Sequence, residues 1–97
     1  MVNFAFLLMG PYDPKKHRVR FESEGGTALM VGVSSLEEAA GVARELGEAG
    51  IDLIEMCGAF GPEGAARVGA AAGERVAVGY VVHDGSQDEK FARLFGE

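Results

Sequence analysis

Four short apolar runs constrain the fold of this sequence more than any other feature. They show no regular alternation of apolar and polar residues, and they cover Asn3–Met9, Thr27–Val33, Ile51–Cys57 and Val76–His83. A strand with one face in water alternates, whereas a strand covered on both faces is apolar almost throughout. The runs therefore predict strands that are buried on both faces of a mostly parallel sheet.

Helical patterns follow the second, third and fourth runs. Ser35 stands three residues before Glu38, which is the spacing of a capping box, and Pro62 suits the first turn of a helix. Strands that alternate with helices favour right-handed βαβ connections. The chain is therefore predicted to be a single α/β domain over residues 1–97, with a four- to five-stranded, mostly parallel sheet. About three helices are expected, over 35–49, 62–72 and 86–95.

Residues 10–26 allow two interpretations. Asp13 and Pro14 could begin a short helix. Alternatively, aromatic or aliphatic side chains alternate with charged ones over residues 17–22, which is typical of a strand. Gly25–Gly26 could then form a hairpin turn after this extended segment. We favour the strand. Because the sequence fixes no direction for this segment or for the first run, a ferredoxin-like α+β fold remains the alternative.

Composition narrows the functional classes. A chain of 97 residues is typical of one domain, and 9 Lys plus Arg against 15 Asp plus Glu give a net charge of −6. Nucleic acids and anionic membranes bind basic surfaces, so neither is an expected partner. One cysteine excludes an internal disulfide framework. The first apolar run is too short to span a membrane and lacks the basic start of a secretory signal, so we expect a cytoplasmic protein.

A basic cluster interrupts this acidic composition. The segment KKHRVR, residues 15–20, gives the first 35 residues a slight positive charge, whereas the remainder of the chain is strongly acidic. A solvated loop or strand edge explains such a cluster. The alternative is a recognition patch for an anionic ligand or for an acidic face of a second subunit.

Candidate catalytic groups lie where the predicted strands end. Ligands of open α/β sheets bind outside the carboxyl ends of the strands, and Glu55, Cys57 and His83 lie there. A carboxylate, a thiol and an imidazole could support acid/base or nucleophilic chemistry. Glu55 could instead form a salt bridge with an arginine, and Cys57 could be a small core residue.

The loops beside these groups supply candidate ligand-binding residues. Glycine-rich turns before helices can hold phosphate, although the spacing in GAFGPEG, residues 58–64, matches no phosphate-binding motif. Aromatic rings could form apolar walls, with an arginine nearby. No paired histidine spacing predicts a metal site, and no cofactor is expected. The predicted ligand-binding residues are Tyr12, Arg18, Gly58, Phe60 and Gly61.

Three segments of the chain resemble a family of small bacterial single-domain proteins of unknown function. The segments are AFLLMGPYDP, GIDLIEMCGAFGPEGAARV and VGYVVH, and the resemblance covers nearly the whole chain. It implies a bacterial cytoplasmic protein. It brings no activity, substrate or cofactor with it, and therefore no catalytic residues.

The sequence leaves three functions open. The first is a small-molecule-binding domain with its site at the carboxyl ends of the strands. The second is a small enzyme that uses His83, Glu55 and Cys57, and the third is a structural subunit of a homo-oligomer. A chain of this length has few elements to cover both edges of a sheet, so we expect a homodimer or larger assembly. The candidate contacts are Phe91, Leu94 and Phe95.

Overall fold

The computed structural model describes residues 1–96 and contains five strands and three α-helices. The strands are β1 (Phe4–Met9), β2 (Arg18–Ser23), β3 (Gly26–Val33), β4 (Leu53–Met56) and β5 (Ala77–Tyr80). The helices are α1 (Leu36–Glu48), α2 (Gly61–Ala72) and α3 (Asp88–Phe95). A single 3-10 turn, Gly85–Gln87, leads into α3.

The strands form one mixed sheet in the order β2-β3-β1-β4-β5. The central strand, β1, pairs in parallel with both β3 and β4, and β5 pairs in parallel with β4. Only β2 is antiparallel, because it forms a hairpin with β3. The prediction of a mostly parallel α/β sheet is confirmed. The ferredoxin-like alternative is excluded because β1 is parallel to both of its neighbours, whereas that fold gives its first strand one antiparallel neighbour.

Of the two interpretations of residues 10–26, the extended one is confirmed, whereas Asp13 and Pro14 begin a turn and not a helix. The carbonyl oxygen of Asp13 accepts hydrogen bonds from the amides of Lys16 (3.0 Å) and His17 (2.7 Å), so one tight turn follows β1. The chain then extends into β2, as favoured from the sequence. The turn closes over the carboxyl ends of β1 and β3, since the amide of Gly32 donates to the carbonyl of His17 (2.8 Å).

The local signals for the helices act as the sequence indicates. The hydroxyl of Ser35 accepts a hydrogen bond from the amide of Glu38 (3.0 Å), and the Glu38 carboxylate in turn accepts from the amide of Ser34 (2.8 Å). These bonds satisfy amides that have no partner within the first turn of α1. Gly50 follows the helix with a φ of 94°, a conformation that suits glycine and ends α1.

Helices α1 and α2 cover the same face of the sheet. The connection from β3 to β4 and the connection from β4 to β5 step in the same direction across the sheet, and right-handed connections of this kind place both helices on one side. The core between the helices and the sheet includes Leu7 of β1, Val31 of β3, Ile54 of β4 and Val68 of α2. This helix-covered face contains the buried core of the chain.

The opposite face of the sheet, which we call the open face, is not buried. On β1 its side chains are only half-buried, and Val19, Phe21 and Met30 on β2 and β3 are exposed. Helix α3 contributes no buried residue and packs mainly against the 3-10 turn before it. The expectation that the strands are covered on both faces is therefore wrong for a single chain, because its two packed helices share one side.

Two predicted strands are longer than the observed ones. The run Val76–His83 forms a strand only to Tyr80, and the run Ile51–Cys57 pairs only over Leu53–Met56. The amide of Val81 still donates to the carbonyl of Met56 (2.9 Å). Beyond that bond β4 turns toward α2 and leaves β5 without a neighbour, so residues 81–84 form no regular structure. His83 therefore follows the sheet instead of ending a strand.

Two glycines of α1 provide a matched test of this packing. A Cβ atom on Gly47 would overlap the carbonyl oxygen of Ala72 at the end of α2, whereas a Cβ on Gly41 would meet no atom within 4 Å. Gly41→Ala is expected to raise the free energy of unfolding by about 0.5–1 kcal/mol, because alanine favours helix. Gly47→Ala is expected to lower it by about 1–3 kcal/mol, because the helices must separate. Urea denaturation measures both, and equal effects would contradict this close helix contact.

Candidate functional site

A shallow hollow opens on the open face at the carboxyl ends of β1 and β3. Its volume is about 260 Å³. This is the edge of an α/β sheet at which ligands commonly bind. We call it the Tyr12 hollow, and it is lined by Leu8, Tyr12, Lys16, His17, Arg18, Val19, Met30 and Gly32.

Tyr12 lies directly against the backbone of the sheet. A Cβ atom on Gly32 would come within 2.7 Å of the Cβ and Cγ atoms of Tyr12, and a Cβ on Gly10 would come within 2.5 Å of its ring. Both positions must therefore lack a side chain for the ring to lie where it does. The two glycines let the loop after β1 fold back over β3, which brings Tyr12 to the edge of the hollow.

His17 is held in a defined orientation beside Tyr12. Its Nδ1 atom accepts a hydrogen bond from the amide of Asp13 at 2.8 Å. A neutral imidazole that accepts at Nδ1 carries its proton on Nε2, so Nε2 can donate to a bound molecule. The two rings meet edge to face, with centroids 5.5 Å apart. The lining of the hollow thus includes an imidazole whose orientation is fixed by a hydrogen bond and by the Tyr12 ring.

The positive charge of the hollow comes mainly from Lys16. Arg18 also lines it, but its Nη1 atom donates to the carboxylate of Glu45 on α1 (3.1 Å) and its Nε atom to the carbonyl of Pro14 (3.1 Å). Its guanidinium is therefore committed to protein partners. Lys16 is exposed and forms no salt bridge with any residue in the described part of the chain.

The three predicted catalytic residues have separate surroundings. Glu55 is exposed on the open face of β4, where Gly79 of β5 is its neighbour. The Sγ atom of Cys57 accepts a hydrogen bond from the amide of Met9 (3.3 Å), and Cys57 packs against the core. His83 contacts α3, so its partners belong to a different part of the molecule.

His83 and Asp84 organise the approach to α3. The Nε2 atom of His83 lies 2.7 Å from Oδ1 of Asp88, and the imidazole stacks on Phe91 at a centroid distance of 3.8 Å. The carboxylate of Asp84 accepts a hydrogen bond from the amide of Ser86 (3.0 Å) and caps the 3-10 turn. Hydrogen bonds from the side chain and the backbone of Ser86 hold the pKa of Asp84 below its ordinary value.

The predicted ligand-binding residues divide between three places. Tyr12 and Arg18 line the Tyr12 hollow. Phe60 is buried in the core just before α2 and forms no wall of that hollow. Gly58 lies close to the backbone of Val81, and Gly61 begins α2 with a φ of 61°. The glycine-rich loop thus lies against the segment that follows β5 and leads into α2.

Sequence reasoning did not single out several lining residues. His17 and Lys16 belong to the basic cluster KKHRVR, and that cluster was the available signal. Leu8 and Met30 look like ordinary strand residues, and their exposure depends on which face the helices cover. That choice follows from the order of the strands.

The described residues show neither a metal-binding cluster nor a membrane-spanning helix. Over residues 1–96, no group of three histidine, cysteine, aspartate or glutamate side chains lies close enough to hold a metal ion. Among the helices described above, none has the length and apolar character needed to cross a bilayer.

The comparison with protein families identifies the chain at the level of its family. A family of unknown function, DUF6506, matches residues 2–96, and the chain belongs to this family. The match agrees with the resemblance to a family of unknown function seen in the sequence. No curated protein and no solved structure matches the chain.

The contact between Gly32 and Tyr12 can be tested by a double-mutant cycle. Gly32→Ala is expected to lower the free energy of unfolding by about 1–3 kcal/mol, since the new methyl group displaces the Tyr12 ring. In a Tyr12→Gly background, which also removes the Cβ atom of residue 12, the same substitution should cost at least about 1 kcal/mol less. Urea denaturation of the four proteins gives the coupling, and an equal loss in both backgrounds would contradict the contact.

Proposed function

We propose that this member of the family binds a small anion with an apolar body in the Tyr12 hollow. One observation carries the proposal: the apolar hollow at the carboxyl end of the sheet is lined by His17, whose ring is held by a hydrogen bond, and by Lys16, which has no ion-pair partner among residues 1–96. A mainly apolar lining with a few directed polar groups is the usual composition of a small-molecule site.

The apolar part of the hollow limits the size and shape of the ligand. Leu8, Met30 and Val19 supply aliphatic surface, and the Tyr12 ring supplies an aromatic one. A volume of about 260 Å³ lies just below the ~300–1,000 Å³ of pockets for drug-sized ligands. A single-ring or short-chain molecule fits these dimensions.

The polar part of the hollow selects the charge of the ligand. The Nε2–H group of His17 and the ammonium of Lys16 are both donors, so they favour an oxyanion such as a carboxylate. The protein as a whole has a net charge of −6, which repels anions from most of its surface. The basic cluster around Lys16 gives an approaching anion a local positive field.

Catalysis receives less support than binding. Glu55, Cys57 and His83 have separate partners, and neither Glu55 nor Cys57 is a hydrogen-bond or ion-pair partner of His83. A general base must lie within hydrogen-bond reach of the proton that it removes. Binding therefore accounts for more of the observed geometry than an enzyme built on these three groups.

Salicylate, a fluorescent carboxylate with a single ring, tests the proposal because it combines an apolar body of the size that fits the hollow with a negative charge at neutral pH. Lys16→Ala is expected to raise its dissociation constant about two- to fivefold, the range of a solvent-exposed ion pair. Lys90→Ala, which removes the same charge from the exposed surface of α3, is the matched control and should leave the constant unchanged. Equal effects of the two substitutions would contradict binding in the Tyr12 hollow.

Mass spectrometry of the natively purified protein provides an independent test. A retained small acid that is lost from Lys16→Ala protein would support the proposal. A retained cation would contradict it, because the hollow presents donors and a positive charge.

A further inference from the structure

We propose that two copies of this chain form a dimer by exchanging α3, so that α3 of each copy covers the open face of the other. The chain carries two complementary apolar surfaces, and each remains partly exposed over the described residues of the single molecule. This proposal does not rest on the ligand proposed above, although Val19 and Met30 belong both to the open face and to the lining of the Tyr12 hollow.

The first surface is the sheet. The pairing register places Phe21, Ala28, Phe4 and Leu53 side by side across four strands. A second row follows with Val19, Met30 and Phe6. Glu55 is the only charged residue among the strand positions on this face. A sheet face that remains in water normally carries polar side chains, so an apolar face of this extent indicates a partner.

The second surface is one side of α3. Phe91, Leu94 and Phe95 have the spacing that places them on the same side of a helix. Leu94 is 77% exposed and Phe95 is 71% exposed. An isolated helix of eight residues is unstable in water, and amphipathic helices gain most of their stability from packing. Helix α3 therefore needs an apolar surface to lie on.

The connection between β5 and α3 favours packing of α3 on the sheet of a second copy. β5 is the edge strand of the sheet, and residues 81–84 continue beyond it. Asp84 caps the 3-10 turn, and His83 is both paired with Asp88 and stacked on Phe91. These contacts fix the start of α3 relative to the end of the sheet, and they leave Leu94 and Phe95 facing solvent. A twofold axis would make the exchange reciprocal and closed.

The available area is sufficient for a stable dimer. Five strands about 4.8 Å apart, with about 3.3 Å per residue, give an open face of roughly 20 × 20 Å. Helix α3 has eight residues, so it is about 12 Å long and about 10 Å wide and covers the middle of this face. The exposed parts of its three apolar side chains and the sheet area beneath the partner's helix together give roughly 600 Å² per copy, at the lower end of the ~1,200–2,000 Å² in total of specific interfaces. The exchange therefore matches the size of known specific interfaces.

Two substitutions separate the sheet surface from the helix surface. Phe21→Glu places a charge on the open face, and Leu94→Glu places one on α3. Phe21 is 63% exposed in the single chain, so both variants should keep the far-ultraviolet circular dichroism of the wild type. In sedimentation equilibrium, the dimer dissociation constant of each variant alone is expected to be at least tenfold higher than that of the wild type. Ala70→Glu, on the exposed side of α2, is the matched control and should leave the dimer intact.

Mixing the two variants tests the exchange itself. A mixed dimer keeps one unaltered pair of surfaces, namely α3 of the Phe21→Glu chain on the sheet of the Leu94→Glu chain. Native mass spectrometry is therefore expected to show the mixed dimer in preference to either variant's own dimer. If mixing restores no dimer, the exchange is wrong. A wild-type protein that sediments as a monomer at ~100 µM would also overturn the proposal, whether or not the variants fold.

Discussion

The direction in which the chain crosses its own sheet determines most of this structure. Both βαβ connections step the same way, from β3 past β1 to β4 and then to β5, so α1 and α2 lie on one side. The two helices then pack closely, because Gly47 lets the backbone of α1 approach the end of α2. The core is built entirely on that side, and the other side of every strand lacks a helix packed on it.

The hairpin partly compensates for this asymmetry. Because β2 returns antiparallel beside β3, the loop before it reaches the carboxyl ends of β1 and β3. Tyr12 can settle there only because Gly10 and Gly32 have no side chains. The same loop brings the basic cluster, which is unusual in this acidic chain, next to exposed aliphatic residues. The sheet edge thereby acquires both apolar surface and positive charge.

Local signals in the sequence predicted the helices and strands well. Features that depend on contacts between distant segments could not be predicted in the same way. Ser35 with Glu38 and the apolar runs gave α1 and the strands, because these depend on neighbouring residues. The covered face could not be predicted, since it depends on strand order and not on any single segment. Phe60 shows the difficulty within one residue: an aromatic side chain after a strand suits either a pocket wall or the core, and the packing of α2 decides for the core.

The hydrogen bond from the Met9 amide to Cys57 has a kinetic consequence. Past the last residue of β4, a sulfur atom takes the place that a carbonyl oxygen would occupy in a longer strand. A reagent that attacks this thiol must first compete with that bond and with the core packing around it. The rate at which Cys57 is labelled thus depends on how often this hydrogen bond opens, so the single cysteine of the sequence reports local opening at the carboxyl ends of β1 and β4.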